Sequence, residues 1–198
     1  MYVDTYCGIN MIITQDRTNF LIGIANLLPK DSTCVELGVA DGIFSKDILN
    51  YLNPKQLFLI DPWKIGHDKN SNVTHYSWGL PTAYSNEEGF LKVKNSYLKE
   101  IESGKVIIKR GFSYEMVSTF PDKFFDFIYI DACHLYECVK FDLNSYFPKL
   151  KKNGLICGHD YAKGANFGVI EAVDEFAKNN NLKWSIKNEN GGDWALTR

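Results

Sequence analysis

The sequence predicts a single α/β domain built on a mostly parallel sheet, and three observations predict it. Short apolar runs of strand length alternate with segments whose apolar residues recur at helical spacing, the pattern of successive βαβ units. The length of 198 residues suits one domain, large enough to bury a core without staples. Ionisable side chains gather where the apolar runs end, most densely in YIDACHLYE at 129–137.

The elements follow in order. After an N-terminal arm, Asp16 is a plausible helix N-cap, and Phe20, Leu21, Ile24, Leu27 and Leu28 recur at helical spacing until Pro29 stops them. Residues 33–39 read as a buried strand, followed by the loop Ala40-Asp41-Gly42 and a helix with Phe44, Ile48, Leu49 and Leu52 on its apolar face. A second strand at 57–60 ends at Asp61. Residues 62–85 lack sustained periodicity but hold Trp63, Tyr76, Trp78, Tyr84, His67 and His75, which reads as a substrate lid.

Phe90, Leu91, Tyr97, Leu98 and Ile101 mark the next helix, which leads to a strand at 106–108. A short helix starts at Ser113, and a central strand occupies 126–130. Leu135, Cys138, Val139, Leu143 and Tyr146 then line a helix, and 154–157 form a fifth strand. Val169, Ile170, Val173, Phe176 and Ala177 line the last helix, before closing strands at 183–186 and 194–197. Nothing marks a linker or a repeat, so 1–198 reads as one domain, with 1–30 as arm and helix.

Composition narrows the function. Lys plus Arg number 22 against 24 Asp plus Glu, a formal charge of −2 that gives no footprint for nucleic acid or an anionic membrane. Lys149, Lys151 and Lys152 are the nearest thing to a basic cluster, and they suit a helix C-terminus. Five cysteines, Cys7, Cys34, Cys133, Cys138 and Cys157, are irregularly spaced and partly embedded in apolar strands, as reduced buried thiols are. With no leader-like N-terminus and no run of 18 apolar residues, the expectation is a soluble cytoplasmic protein.

In an open parallel sheet, ligands collect beyond the carboxyl ends of the strands. The candidate site therefore comprises 36–42, Asp61, 111–114, 131–136 and 158–161. In ELGVADGIFS, Ala40 stands where a dinucleotide fingerprint would place its second glycine, which disfavours a pyrophosphate against the backbone. Asp61 follows Gly42 by 19 residues, about where an acid accepts hydrogen bonds from ribose. Ribose without pyrophosphate suggests S-adenosylmethionine, whose sulfonium is at ease beside Glu36 and Asp131.

The ordered runs CVELGVADGIFSKDIL, LFLIDPW, RGFSYE, FDFIYIDACHLYECVKFDL and GLICGHDY resemble the motifs of class I S-adenosylmethionine-dependent methyltransferases. More narrowly they resemble the small O-methyltransferase-like group with D-x-x-H-x-Y-E after the fourth strand. The resemblance covers 33–198 and implies a Rossmann-like, doubly wound sheet of seven strands in the order 3-2-1-4-5-7-6, the last antiparallel. It implies that Glu36, Gly38 and Gly42 hold the methionine part, with Ser45 near its carboxylate. Asp61 would hold the ribose, Trp63 would stack near the adenine, and Phe112 with Ser113 would border that ring.

Asp131 would end the fourth strand beside the methyl donor, with His134 on the same rim. Methyl transfer to a hydroxyl needs an in-line acceptor oxygen and removal of its proton, and an imidazole of near-neutral pKa makes His134 the candidate base. In the metal-assisted O-methyltransferases that the group resembles, an acid after strand four and a residue pair after strand five hold a divalent ion. Asp131, Asp160 and His159 stand at those positions. Two carboxylates suit Mg²⁺, but the first of the pair is usually acidic and His159 departs from that, which favours Mn²⁺, Fe²⁺ or Zn²⁺ over Mg²⁺, or a site with no metal at all.

The expected acceptor is a small hydroxylated molecule, a sugar or natural-product precursor, and the N-terminal arm offers a surface for a homodimer. Two alternatives stand beside this reading: a nucleoside-binding module without turnover, and an NAD(P)-dependent oxidoreductase, which Ala40 disfavours.

Overall fold

Seven stretches rich in β-branched and aromatic residues pair into one sheet: β1 Thr33–Leu37, β2 Gln56–Asp61, β3 Val106–Arg110, β4 Phe125–Ile130, β5 Leu150–Ala162, β6 Lys183–Lys187 and β7 Asn190–Thr197. The computed structural model describes residues 3–6, 9–12, 17–64, 87–163, 168–187 and 190–198. The spatial order is β3-β2-β1-β4-β5-β7-β6, with β7 antiparallel to both of its neighbours and the other pairings parallel. This is the seven-stranded order that the sequence motifs imply.

Both faces of the sheet are covered, which explains why its central strands read as continuous apolar runs. Successive side chains alternate between two cores. Val35, Leu37, Phe58, Ile60, Ile128, Ile130, Ile156 and Leu196 point to one core. Cys34, Leu57, Leu59, Phe127, Tyr129, Leu155, Cys157 and Ala195 point to the other. The first is closed by α5 Ser113–Met116, α6 Tyr136–Tyr146 and α7 Val169–Asn179. The second is closed by α1 Arg17–Ile24, α2 Ile43–Asp47 with its π-helical continuation Ile48–Leu52, α3 Glu87–Ser96 and α4 Leu98–Glu102.

Three elements differ from the sequence expectation. The helix expected through Phe90 and Ile101 is broken at Tyr97 (φ −118°), whose hydroxyl donates to the carbonyl of Gly42. That bond reaches across to the first strand's loop, a tertiary demand that periodicity does not show. The fifth strand is longer than 154–157, since its pairing with β7 continues past a register shift to Ala162. At the N-terminus the backbone forms a hairpin, Val3–Tyr6 against Ile9–Ile12, inside the arm.

The N-cap expected at Asp16 and the lid expected at 62–85, apart from its first three residues, lie outside the described residues. No helix among the described residues is long and apolar enough to cross a membrane.

From β1 the chain moves outward to β2 and β3, and it returns to β4 on the other side of β1. The carboxyl ends of β1 and β4 therefore flank the point where strand order reverses, the place where such sheets bind ligands. Gly158 helps to keep β5 against β4 there: a Cβ would stand 2.4 Å from the carbonyl oxygen of Ile130 and 2.6 Å from the indole of Trp194. Overpacking of that kind costs about 1–3 kcal/mol. Gly158→Ala is expected to lower the Tm by several degrees; an unchanged melt would mean that Trp194 and β4 yield without penalty.

Candidate active site

β1 delivers the chain into a bend in which Gly38, Ala40 and Gly42 all have positive φ, at 85°, 51° and 78°. Gly38 has no room for a side chain, because a Cβ there would lie 2.1 Å from the carbonyl oxygen of Asp131. Ala40 adopts a left-handed conformation that glycine takes more readily, and its neighbours hold it there. Its N–H donates to Asp61 Oδ2 at 3.0 Å, and its carbonyl accepts the indole N–H of Trp63 at 2.7 Å.

Asp61, at the end of β2, is the keystone of this bend. Its Oδ2 also accepts the N–H of Val39 at 2.9 Å, and its Oδ1 accepts the N–H of Trp63 at 2.7 Å. Burial raises its pKa, and the three backbone donors work against that rise. Three accepted bonds leave roughly one of about four acceptor positions on the carboxylate for a further donor.

Glu36 lies one turn inward, 1% exposed, accepting the Ser45 hydroxyl at 2.5 Å. Burial raises the pKa of Glu36 to about 8, against the lowering effects of Ser45 and Arg17. Two of the expected cofactor residues lie in the core. Ser45 is fully buried and its hydroxyl is engaged by Glu36, so it presents nothing to a cofactor carboxylate. Trp63 is 1% exposed and packs 5.4 Å from the ring of Phe90, so it is a core residue that clamps Ala40 and not a platform for a base. Phe112 and Ser113 do lie at the carboxyl end of β3, half-buried, with Phe112 stacked on Tyr114 at 5.3 Å.

On the far side of Gly38, the ends of β4 and β5 bring ionisable groups together. His134 Nε2 lies 3.3 Å from Asp131 Oδ1 and 3.0 Å from Asp160 Oδ2, while His159 Nδ1 lies 3.3 Å from the same Asp160 oxygen. Asp160 reaches inward from a left-handed backbone conformation (φ 57°). Such conformations cost energy and cluster at functional sites. Burial alone would lower the pKa of His134, but the bonds to Asp131 and Asp160 raise it to about 10. The two carboxylates thus favour the protonated form of His134 over the near-neutral imidazole expected from the sequence. Burial would raise the pKa of Asp160, but His134 and His159 hold it well below the usual carboxylate range.

The described donor atoms that fall within 4.8 Å of one another belong to Asp131, His134 and Asp160. Adjacent ligands of an ion with bonds of about 2.1 Å stand about 3 Å apart, the same spacing as these hydrogen bonds. The set fits a divalent cation in place of the imidazolium proton. It differs from the expected Asp131, Asp160 and His159, because the imidazole between the two carboxylates is that of His134.

Three further residues complete the site and escaped the sequence reading. Arg17, at the start of α1, donates through Nη2 to Asp131 Oδ2 and to the Tyr129 hydroxyl at 2.9 Å, and through Nε to that hydroxyl at 3.2 Å. Its guanidinium lies 4.2 Å from the centroid of the Phe44 ring. Tyr129 in turn donates to Asp193, which is 2% exposed on β7. A phenol inside an otherwise apolar run was a signal available for Tyr129; nothing local marks Arg17.

With this geometry established, comparison identifies the class. A family model described as a methyltransferase domain matches residues 35–161, and the chain belongs to that family. Its sheet is that of class I S-adenosylmethionine-dependent methyltransferases. No curated protein matches by sequence. Among solved structures, the O-methyltransferase NovP has a TM-score of 0.65 at 20% identity, covering 92% of this chain and 80% of its own. A caffeoyl-CoA O-methyltransferase-like protein of Staphylococcus aureus has a TM-score of 0.64 at 16% identity, with coverage of 94% and 85%. A Streptococcus mutans protein in complex with S-adenosylhomocysteine has a TM-score of 0.61 at 9% identity, with coverage of 94% and 98%. These likenesses concern the fold.

The environment of Glu36 yields a pH prediction. With a folded pKa of about 8 against an ordinary 4.5, the folded state holds an extra proton between those values. The contribution of this group to stability is therefore present below pH 4.5 and is lost as pH rises through about 8. Thermal melts from pH 5 to 8.5 should fall more steeply for the native protein than for Glu36→Gln; parallel slopes would show that Glu36 titrates normally.

Proposed function

We propose that the protein transfers the methyl group of S-adenosylmethionine to a hydroxyl of a small hydroxylated acceptor, of the sugar or natural-product kind, with a divalent cation held by Asp131, His134 and Asp160. The observation that carries this reading is the convergence of those three side chains at the ends of β4 and β5, directly across Gly38 from the bend that Asp61 organises. O-methyltransferases among the structural neighbours lend it support at the level of fold.

When bound, S-adenosylmethionine supplies a methyl group on a sulfonium, and a divalent ion acidifies and orients an acceptor hydroxyl. The protein's own part is positional. The Gly38 bend leaves space for the methionine part, and Glu36, Asp61 and Asp131 surround it with carboxylates that favour a positive centre. In the transfer the sulfur–methyl bond breaks, an oxygen–methyl bond forms, and the hydroxyl proton is released to solvent water. His134 Nε2, the atom between the two carboxylates, carries a proton when no ion is bound, so it is poorly placed to accept another. As a ligand the same atom is neutral and donates its lone pair, with Asp131 and Asp160 supplying the charge. The imidazole in the set favours Mn²⁺, Fe²⁺ or Zn²⁺ over Mg²⁺.

Methyl transfer from S-adenosylmethionine to a panel of small phenols, catechols and sugars, with and without chelator, tests the reading. Chelation should abolish transfer and Mn²⁺ should restore it. Asp160→Asn should lower kcat by about 100-fold or more while leaving the Kd for S-adenosylhomocysteine within about threefold. Full activity in chelator would remove the metal, and failure of the native protein to bind S-adenosylhomocysteine would remove the cofactor.

A further inference from the structure

The cofactor has an α-carboxylate as well as a sulfonium and an ammonium, and the fold has surrounded its site with acids. Glu36, Asp61, Asp131 and Asp193 are all at or beside the ends of β1, β2, β4 and β7. A carboxylate entering that field needs a positive partner. Ser45, the residue expected to meet it, is buried and bonded to Glu36.

Arg17 is a permanent cation at this rim. Its guanidinium is fixed on three sides by Phe44, Tyr129 and Asp131, and Phe44 adjoins the Ser45 that bonds Glu36. Asp131, which it contacts, is also the residue whose backbone carbonyl meets Gly38. The guanidinium, the bend and Glu36 therefore converge on one place. Nε and Nη2 make the bonds to Tyr129 and Asp131, whereas Nη1 has no hydrogen-bond partner among the described residues, and the side chain is 32% exposed. A planar guanidinium clamped along one edge, with a nitrogen left to donate, is pre-organised for a carboxylate.

Resting on the S-adenosylmethionine reading above, we infer that Arg17 binds the α-carboxylate of the cofactor's methionine part. Arg17 thereby selects a cofactor with an intact amino-acid tail over nucleosides that lack it, and it links cofactor binding to the carboxylate of Asp131.

Calorimetry with two ligands separates this role from a purely structural one. S-adenosylhomocysteine carries the carboxylate, and 5′-methylthioadenosine has the nucleoside and thioether without the amino-acid tail. Arg17→Gln should weaken S-adenosylhomocysteine by roughly 10- to 100-fold and leave 5′-methylthioadenosine within about twofold. Arg17→Lys, which keeps the charge, should recover part of the loss for S-adenosylhomocysteine alone. If Arg17→Gln does not fold, the same ligand pair on Arg17→Lys decides, with a loss confined to S-adenosylhomocysteine as the supporting result. Equal loss for both ligands, or no loss for S-adenosylhomocysteine, in a variant whose parent binds both would overturn the assignment. A native protein that binds neither ligand would instead overturn the cofactor reading beneath it.

Discussion

The contact on which the site depends is the one between Gly38 and the carbonyl oxygen of Asp131. No side chain fits between them, so the ends of β1 and β4 approach until their loops touch backbone to backbone. The bend on one side is then stiffened by Asp61, which gathers the N–H groups of Val39, Ala40 and Trp63. On the other side, the chain leaving Asp131 swings His134 under Asp160. A donor pocket and a cluster of ligating groups become neighbours because a single Cβ is missing. Binding both reactants within reach of each other is the larger part of what such a site must do.

Charge organises the same region. The site holds five acids that burial or mutual repulsion would discourage, and each has a compensating partner. Glu36 has Ser45, Asp61 has backbone donors, Asp131 has Arg17 and His134, Asp160 has His134 and His159, and Asp193 has Tyr129. The cofactor's sulfonium and a divalent ion both carry positive charge, so an acid-lined cleft is the medium in which both are stable. Breaking one of these pairs leaves a carboxylate without its partner in a poorly solvated place, which costs more than the bond itself gained.

The fold was legible in the sequence because each central strand is buried on both faces and each helix shows an apolar stripe. The seven-strand order came from motif resemblance, since apolar runs carry no information on which run pairs with which. The site was legible only in outline. Spacing brought Asp131, His134, His159 and Asp160 to adjacent strand ends, but which imidazole stands between the carboxylates depends on the backbone at Asp160, whose positive φ no local pattern announces. Ser45 and Trp63 sit at positions that motif position alone assigned to the cofactor, yet each turns into the core, Ser45 to donate to Glu36 of β1 and Trp63 to donate to the Ala40 carbonyl of the bend. Arg17 was invisible because its significance arises from contacts with Tyr129 and Asp131, more than a hundred residues away.

Those distant contacts have a consequence for biogenesis. Tyr129 joins Arg17, near the front of the described chain, to Asp193 on β7, the last sheet strand in chain order, which inserts between β5 and β6. A nascent polypeptide emerging from the ribosome has β1 to β6 in hand before β7 exists, so β5 and β6 cannot take β7 as their common neighbour until its residues have emerged. The bend with Glu36 and Asp61 can assemble early, while the bond from the Tyr129 phenol to Asp193 waits for β7. Competence thus waits on β7, and a polypeptide that stops short of it carries the pocket's walls without the joint that fixes them.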